Sequence, residues 1–211
     1  MKIAIVQFDN RPMAQLGAMT LLLQRNAAYA ARHGYAYQFL DRAYFDLPTY
    51  WQKPSICHRF LQGGYDLVVW LDTDAVVHDL DVAVETLFEG SEVMVAAGDN
   101  PLWAAPFNAG VFAVKAADGG LELMARWMAL FAGTSWTRTE TAWVCQDEWA
   151  GPSYEQGAFN LHLLERSKAS GALRLIDWRR LQSPFPVPEA FTLHFPGPFK
   201  PNIPVYLSTL A

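Results

Sequence analysis

The chain has 211 residues, 52% of them hydrophobic and 18% charged, which suits one well-buried domain and is too short for two of ordinary size. Its formal net charge of −5 and the lack of a Lys/Arg run argue against binding to nucleic acid or to an anionic membrane surface. The sequence has no run of roughly 18 consecutive apolar residues, the length that a membrane span needs. Cys57 and Cys145 are its only cysteines, so no disulfide framework is implied and a reducing compartment is the simpler assumption. We therefore expect a soluble cytoplasmic protein.

The first third of the chain predicts alternating strands and helices. Apolar and β-branched runs predict strands, and apolar residues three or four apart predict helices. The predicted elements are a strand at residues 3–6, a helix of about five turns from 16 to near 34, a strand at 35–40 and a helix opening at 51 and closing at 63–64. Strand, helix and strand in this order favour a right-handed parallel α/β unit.

A buried strand that ends on two carboxylates is the centre of the pattern. Residues 67–71 are continuously apolar, as in an inner strand covered on both faces, and Asp72 and Asp74 follow. Ligands of open α/β sheets bind beyond the carboxyl ends of the strands. If the chain turns after Asp72, both carboxylates converge on one hard divalent cation, which could hold a diphosphate.

The remaining two thirds continue this alternation and then change character. We predict a short helix at 80–87, strands at 92–97 and 107–114, a helix at 121–131, a Trp-rich irregular segment at 133–151, a helix at 154–164 and a strand at 173–176. From Ser183 onward, seven prolines predict the absence of regular structure. The fold class is therefore α/β, a Rossmann-like and mostly parallel sheet flanked by helices, in a single domain over residues 1–211.

Several segments, in the right order, resemble retaining nucleotide-sugar glycosyltransferases of the GT-A type, in family 8 and family 34. Residues 26–35, N-A-A-Y-A-A-R-H-G-Y, are similar to the family 34 run that begins with N and ends in Y-A-x-x-H-G-Y. Residues 51–53 are similar to its W-x-K and 70–75 to its W-x-D-x-D-A. Residues 107–111 resemble F-N-[AST]-G-[VF], 155–159 resemble [DE]-Q-x-x-[FL], and 194–201 resemble the family 8 motif H-x-x-G-x-x-K-P. Together, the matching segments extend in this order from residue 26 to residue 201.

The resemblance implies a GT-A fold and a role for each matching residue. Asp72, Asp74 and His194 would bind the metal, usually Mn²⁺, with Mg²⁺ as the alternative. The other implied contacts are Gly197 and Lys200 with the diphosphate, Asn108 and Gly110 with the donor sugar, Lys53 in the donor site, Gln7 and Asp9 beside the nucleoside, and Glu155 and Gln156 as catalytic residues at the reacting face of the sugar.

Three features of the chain depart from the families. Asn202 follows the last motif where family 8 usually has Trp, and Glu155 stands for the expected Asp. The frequent membrane-anchoring extension is missing from the sequence, from which we expect a soluble bacterial-type enzyme or a shortened chain.

The implied reaction moves a hexose or pentose (galactose, glucose, xylose or mannose) from a nucleoside diphosphate sugar, with UDP-sugars favoured, to a hydroxyl of a glycan, lipid or protein. Retention requires either a covalent intermediate on a carboxylate or attack from the leaving-group side, with the diphosphate oxygen accepting the proton. We favour the second route, because Glu155-Gln156 is the one candidate nucleophile in the sequence and no second carboxylate is evident beside it. Trp136, Trp143 and Trp149 suggest the acceptor side, since aromatic faces suit sugar rings.

Two other functions fit parts of the sequence. Residues 68–76 also match the D-x-D-x-[TV] strand of haloacid-dehalogenase-type phosphatases, with Asp72 as nucleophile and Asp99 in the later acidic motif. That nucleophile normally ends the first strand of its fold, whereas two predicted strands precede Asp72. A non-catalytic domain that binds a sugar nucleotide or a glycan is the other alternative.

Overall fold

The computed structural model describes residues 1–98, 101, 105–117 and 119–210. Numbered along the chain, the strands are β1 Ile3–Phe8, β2 Ala36–Leu40, β3 Leu67–Leu71, β4 Ala75–Val77, β5 Met94–Ala97, β6 Asn108–Lys115, β7 Thr137–Arg138, β8 Trp143–Val144, β9 Leu173–Ile176 and β10 Thr192–His194. The α-helices are α1 Met13–Leu16, α2 Met19–His33, α3 Gln52–Gln62, α4 Gly120–Ala129, α5 Glu155–His162, α6 Leu164–Ala169, α7 Trp178–Leu181 and α8 Asn202–Ser208.

A six-stranded sheet in the order β2-β1-β3-β6-β5-β9 forms the centre of the protein. β1 is parallel to both β2 and β3, and β5 is parallel to β9, whereas β6 runs antiparallel to β3 and β5. The prediction of an α/β fold with a mostly parallel sheet is confirmed. β3 lies inside the sheet, between β1 and β6, which accounts for its uninterrupted apolar sequence.

Helices cover both faces of this sheet. Val68 and Trp70 belong to a buried cluster that includes apolar side chains of α3, α4 and α5. The alternate residues Leu67 and Val69 face the other way, into a cluster with Tyr29 of α2. Successive side chains of a strand point to opposite faces, so a strand covered on both sides must be apolar at every position.

A smaller antiparallel sheet of β4 and β10 lies beyond the end of β3. Its Val76 and Leu193 pack in a third cluster with residues of α2 and with Tyr206 of α8. His194, the last residue of β10, pairs with Ala75, the first residue of β4. This small sheet therefore carries the end of the chain back to the two carboxylates.

The prediction that regular structure stops at Ser183 is wrong, because β10 and α8 both follow it. Pro204 is the third residue of α8, so it lies in the first turn, where a backbone N–H has no acceptor within the helix. Prolines at the start of a helix therefore do not prevent it.

Two predicted helices differ in extent from those observed. Residues 80–87 form only a 3-10 turn at Val84–Leu87. The helix predicted from residue 16 begins at Met19, after a break at Gly17 with φ 55°, and it ends as expected at Gly34, whose φ is 71°. None of the helices in the described parts of the chain has both the length and the apolar character to cross a membrane.

Candidate active site

The chain turns sharply where β3 ends, and this turn brings two carboxylates together. The Ala75 N–H donates to the Asp72 carbonyl at 2.8 Å, and the Asp72 N–H donates to the Gly110 carbonyl of β6 at 2.8 Å. Asp72 and Asp74 then lie on the same side of the turn, near His194 at the end of β10. The sequence predicted that the two acids would converge if the chain turned after Asp72. The structure shows both this turn and the convergence.

Asp72, Asp74 and His194 form a group with the spacing of metal ligands. His194 Nε2 is 3.3 Å from Asp74 Oδ1 and 4.0 Å from Asp72 Oδ2. One potential ligand atom from each residue lies within 4.8 Å of the others. Two carboxylates and one imidazole are a donor set that fits Mn²⁺ or Mg²⁺.

The second ring nitrogen of His194 is held by Gln182, a residue that the sequence did not single out. His194 Nδ1 is 2.7 Å from Gln182 Oε1, and Gln182 Nε2 donates to the Asn108 carbonyl at 2.9 Å. Because the Gln182 amide donates through nitrogen, its oxygen accepts the N–H of His194 Nδ1. The other ring nitrogen, Nε2, faces the two carboxylates, and with the proton on Nδ1 its lone pair would be available to a cation bound there.

Gly110 allows the His194 ring to occupy this position. A Cβ on Gly110 would lie 2.1 Å from His194 Cε1, so any other residue would displace the ring. Gly110 does not line the cavity described below. The structure thus places Gly110 beneath the imidazole, and its contact with a donor sugar stays a prediction.

A buried lysine joins the first carboxylate to the start of α5. Lys53 Nζ is 3.0 Å from Asp72 Oδ1 and 2.9 Å from Glu155 Oε1. Burial lowers the pKa of Lys53, but the two carboxylates outweigh it and raise the pKa, so Lys53 stays charged. Burial raises the pKa of Glu155 despite the nearby Lys53 ammonium. Trp70 Nε1 donates to Asp72 Oδ1 at 2.7 Å and fixes the first carboxylate further.

His194 and Lys200 stabilise Asp74 as an anion. Burial raises its pKa, but hydrogen bonding with His194 and the charge of Lys200 outweigh burial, and the pKa is lowered overall. Lys200 Nζ is 3.3 Å from Asp74 Oδ2, and its side chain is 44% exposed. Lys200 therefore places a cation at the mouth of the site.

A cavity of about 410 Å³, here called the metal cavity, opens above these residues. All of the predicted site residues line it except Gln7, Asp9 and Gly110. The lining residues are Tyr50, Lys53, Asp72, Asp74, Asn108, Trp149, Ala150, Tyr154, Glu155, Gln156, His194, Pro196, Gly197 and Lys200. Gln156 Oε1 accepts the Ala109 N–H at 2.9 Å, which orients its side chain.

Gln7, at the end of β1, is buried in the core. Its Oε1 accepts from Asn26 Nδ2 at 3.0 Å and from the Tyr37 hydroxyl at 2.9 Å, and its Nε2 donates to the Asp72 carbonyl at 3.1 Å. The fully buried Gln7 supports the turn after β3, and its contact with a donor stays a prediction.

Asp9 lines a smaller cavity of about 170 Å³, here called the side cavity, which adjoins the metal cavity at Tyr50, Lys53, Asp72 and Asp74. Arg11 donates to Asp9 through Nε at 2.9 Å and Nη2 at 2.5 Å. Burial raises the pKa of Asp9, but the Arg11 hydrogen bonds outweigh it and lower the pKa overall.

The three tryptophans of the 133–151 segment separate into two places. Trp149 lines the metal cavity, whereas Trp136 and Trp143 line another cavity, which extends from Asn10 to Trp143.

The phosphatase alternative requires its nucleophile at the end of the first strand. Asp72 instead follows the third strand of the chain. Asp99, invoked for that alternative, lies outside the described residues.

Comparison with known proteins identifies similar structures but no matching family model or curated sequence. The chain matches no protein-family model. It also matches no curated protein sequence. Among solved structures it is similar to a glycosyltransferase involved in the glycosylation of the major capsid of PBCV-1, with a TM-score of 0.73, 16% identity and coverage of 99% of this chain and 100% of that one.

Two other solved structures are similar over part of their length. The glycosyltransferase GlyE of Streptococcus pneumoniae TIGR4 has a TM-score of 0.57 and 15% identity, and the match covers 95% of this chain and 56% of GlyE. The bifunctional glycosyltransferase WbbM has a TM-score of 0.52 and 14% identity over 100% of this chain and 49% of WbbM. The protein therefore has the GT-A glycosyltransferase fold, as its motifs predicted.

Proposed function

We propose that this protein is a metal-dependent, retaining glycosyltransferase. It transfers a hexose or pentose from a nucleoside diphosphate sugar, with UDP-sugars as the favoured donors, to a hydroxyl of a glycan, lipid or protein. The observation that carries the proposal is the convergence of Asp72, Asp74 and His194 with Lys200 at one cavity of a GT-A fold.

Asp72, Asp74 and His194 would hold the divalent ion, Mn²⁺ or Mg²⁺. The bound ion would supply positive charge to the diphosphate and make it a better leaving group. Lys200 would add a second positive charge as the glycosidic C–O bond breaks, and one well-placed electrostatic contact of this kind contributes roughly 3–4 kcal/mol. Gly197, which lines the cavity with φ 51°, would let the backbone approach a phosphate closely.

The donor sugar would lie between Asn108 and the start of α5. Asn108, Glu155 and Gln156 line this part of the metal cavity. Lys53 would keep Asp72 and Glu155 in place through its two ion pairs. The side cavity, with the Asp9–Arg11 pair, would receive the nucleoside.

We favour attack by the acceptor hydroxyl from the side that the diphosphate leaves. The bond from the anomeric carbon to the diphosphate breaks, the bond to the acceptor oxygen forms, and the hydroxyl proton passes to the departing diphosphate oxygen. The Lys53 ion pair supports this route because it occupies Glu155, the candidate nucleophile. Loss of nearly all transfer in Glu155→Gln would still agree with this route, provided that the parent enzyme accumulates no glycosyl adduct. A glycosyl adduct isolated on Glu155 of the parent enzyme would exclude it.

The direct test is calorimetric titration of the protein with UDP, GDP and their sugars, with Mn²⁺ and with chelator. We expect one nucleotide to bind tightly only with metal, and Asp74→Ala and His194→Ala to abolish this binding. His162→Ala, which removes an exposed histidine at the end of α5, is the matched control and should bind as the parent protein does. Absence of metal-dependent nucleotide binding, together with hydrolysis of a generic phosphate ester, would contradict the proposal.

A further inference from the structure

A second large cavity adjoins the metal cavity on the side away from Asp9. This outer cavity has a volume of about 540 Å³ and shares Asn108, Gln156 and Gly197 with the metal cavity. None of its lining residues belongs to the side cavity. The three cavities thus follow one another, with the metal cavity in the middle.

Trp149 stands between the metal cavity and the outer cavity and lines both. Trp149 is 67% exposed, whereas tryptophan is highly buried on average in folded proteins. An exposed indole face at a cavity wall is a platform on which the apolar face of a sugar ring can stack.

The backbone holds Trp149 in place. Ala150 has φ 61°, the only positive φ of a non-glycine residue in the described parts of the chain. The turn around it packs directly on α5, since a Cβ on Gly157 would lie 2.0 Å from the Gly151 carbonyl oxygen. Such conformations cost free energy and cluster at ligand sites.

Asn160 supplies an unused hydrogen-bond acceptor at the same cavity. Its Nδ2 donates to the Phe107 carbonyl at 3.1 Å, but its Oδ1 is buried and, among the described residues, has no partner. Asn160 lines the outer cavity. A buried oxygen without a partner is costly, and a ligand hydroxyl would satisfy it.

The charges around the outer cavity indicate a neutral ligand. Glu148 is the one charged residue among those described in its lining, where no Lys or Arg occurs. Asn108, Gln156 and Asn160 provide planar polar groups, and Trp149, Pro196 and Pro198 provide apolar surface. Acidic sugars and phosphate groups would meet a carboxylate without a compensating cation.

We propose that the outer cavity binds a neutral pyranose ring of a glycan acceptor. The ring stacks on Trp149, one of its hydroxyls donates to Asn160 Oδ1, and another reaches the metal cavity past Gln156. The identification of this sugar as the acceptor rests on the proposed function, because the nucleoside and the transferred sugar would fill the other two cavities.

The test is binding of the labelled protein, without nucleotide, to an array of neutral oligosaccharides and their uronic-acid and sialylated counterparts. We expect selective binding to a set of neutral glycans, weakened at least tenfold in Trp149→Ala and in Asn160→Leu. Tyr44→Ala is the matched control, since Tyr44 is 56% exposed and lines none of the described cavities; it should bind as the parent does. Because Trp149 is exposed, its variant remains informative even if Asn160→Leu unfolds.

Three results would overturn the inference: no neutral glycan bound, a preference for acidic glycans, or undiminished binding by Trp149→Ala. These results concern the outer cavity only. Loss of the proposed function would show separately, as absence of metal-dependent nucleotide binding by the parent protein.

Discussion

His194 can offer only one ring nitrogen to the candidate metal site, because Gln182 engages the other. The hydrogen bond from Nδ1 selects the tautomer and fixes the ring plane. Gly110 completes this arrangement from below, where a Cβ would meet the ring. The position of the His194 ring therefore depends on Gln182 and Gly110, which would not themselves touch the metal.

We expect Gln182→Ala to weaken Mn²⁺ affinity about 10–100-fold, the usual effect of losing a partner behind a metal-bound histidine. The measurement is a Mn²⁺ titration followed by electron paramagnetic resonance. Gln182→Glu can still accept from His194 Nδ1 but cannot donate to the Asn108 carbonyl, so partial recovery in this variant would separate ring orientation from general stability.

Gln38→Ala, at an exposed position of β2, is the control and should leave Mn²⁺ affinity unchanged. Equal affinity in Gln182→Ala and the parent protein would show that Gln182 does not position His194.

At the scale of elements, an ion pair fastens the edge strand β9 to the loop before β5. Arg174 Nε is 3.0 Å from Glu92 Oε1, which also accepts the Glu89 N–H at 2.7 Å. Burial raises the pKa of Glu92, but the backbone N–H groups and Arg174 outweigh it and lower the pKa overall. This carboxylate thus stabilises the fold only while it is ionised.

We predict that Glu92→Gln lowers the free energy of unfolding by about 1–2 kcal/mol at pH 7. The folded-state pKa lies below the unfolded value of about 4.3, so the stabilisation is complete above that pH and disappears as pH falls through the folded-state pKa. Urea unfolding over a series of pH values should therefore show a difference between variant and parent that is largest at pH 7 and shrinks as the pH falls below about 4.3.

Glu89→Gln is the matched control, because Glu89 contacts the same Arg174 at 3.3 Å from a largely exposed position. It should change the free energy of unfolding by less than about 0.5 kcal/mol. A Glu92→Gln effect that does not shrink at acidic pH would point to lost packing instead of lost charge.

The elements that the sequence predicted well are those whose signal is local. Residues 67–71 had to be apolar throughout because clusters cover both faces of β3, and Gly34 ends α2 through its own positive φ. The site residues that carry charge, such as Asp72 and Asp74, were visible because acids at the end of an inner strand are unusual.

What the sequence did not reveal depends on contacts between distant segments. Gln182 lies beside His194 because the next residue, Ser183, bridges to Leu193 and accepts the His194 N–H. Gln7 is held in the core by hydrogen bonds from Asn26 and Tyr37. Prolines after Ser183 predicted irregular structure, but their effect depends on their position within α8. No local pattern encodes these relations.

At the scale of the whole molecule, the site is assembled from segments that are far apart in sequence. The turn after β3, the strand β6, the helix α5 and the β10–α8 region each contribute residues to the metal cavity. In the described structure, the carboxylates of Asp72, Asp74 and Glu155 contact two lysines and one histidine, and Asp72 also accepts a hydrogen bond from Trp70. A bound cation would relieve the repulsion between these carboxylates and connect the segments.

Metal and nucleotide together should therefore stabilise the whole fold. A ligand present at 100 times its dissociation constant adds about 2.7 kcal/mol to the free energy of unfolding, which for a chain of this length raises Tm by roughly 5–10 °C. We expect this shift by differential scanning calorimetry with Mn²⁺ and the nucleotide that binds in the calorimetric titration, and its loss on adding chelator. His194→Ala should show no shift, while His162→Ala should match the parent. A nucleotide shift that survives both chelator and His194→Ala would mean that binding does not pass through Asp72, Asp74 and His194, and would place the nucleotide elsewhere on the protein.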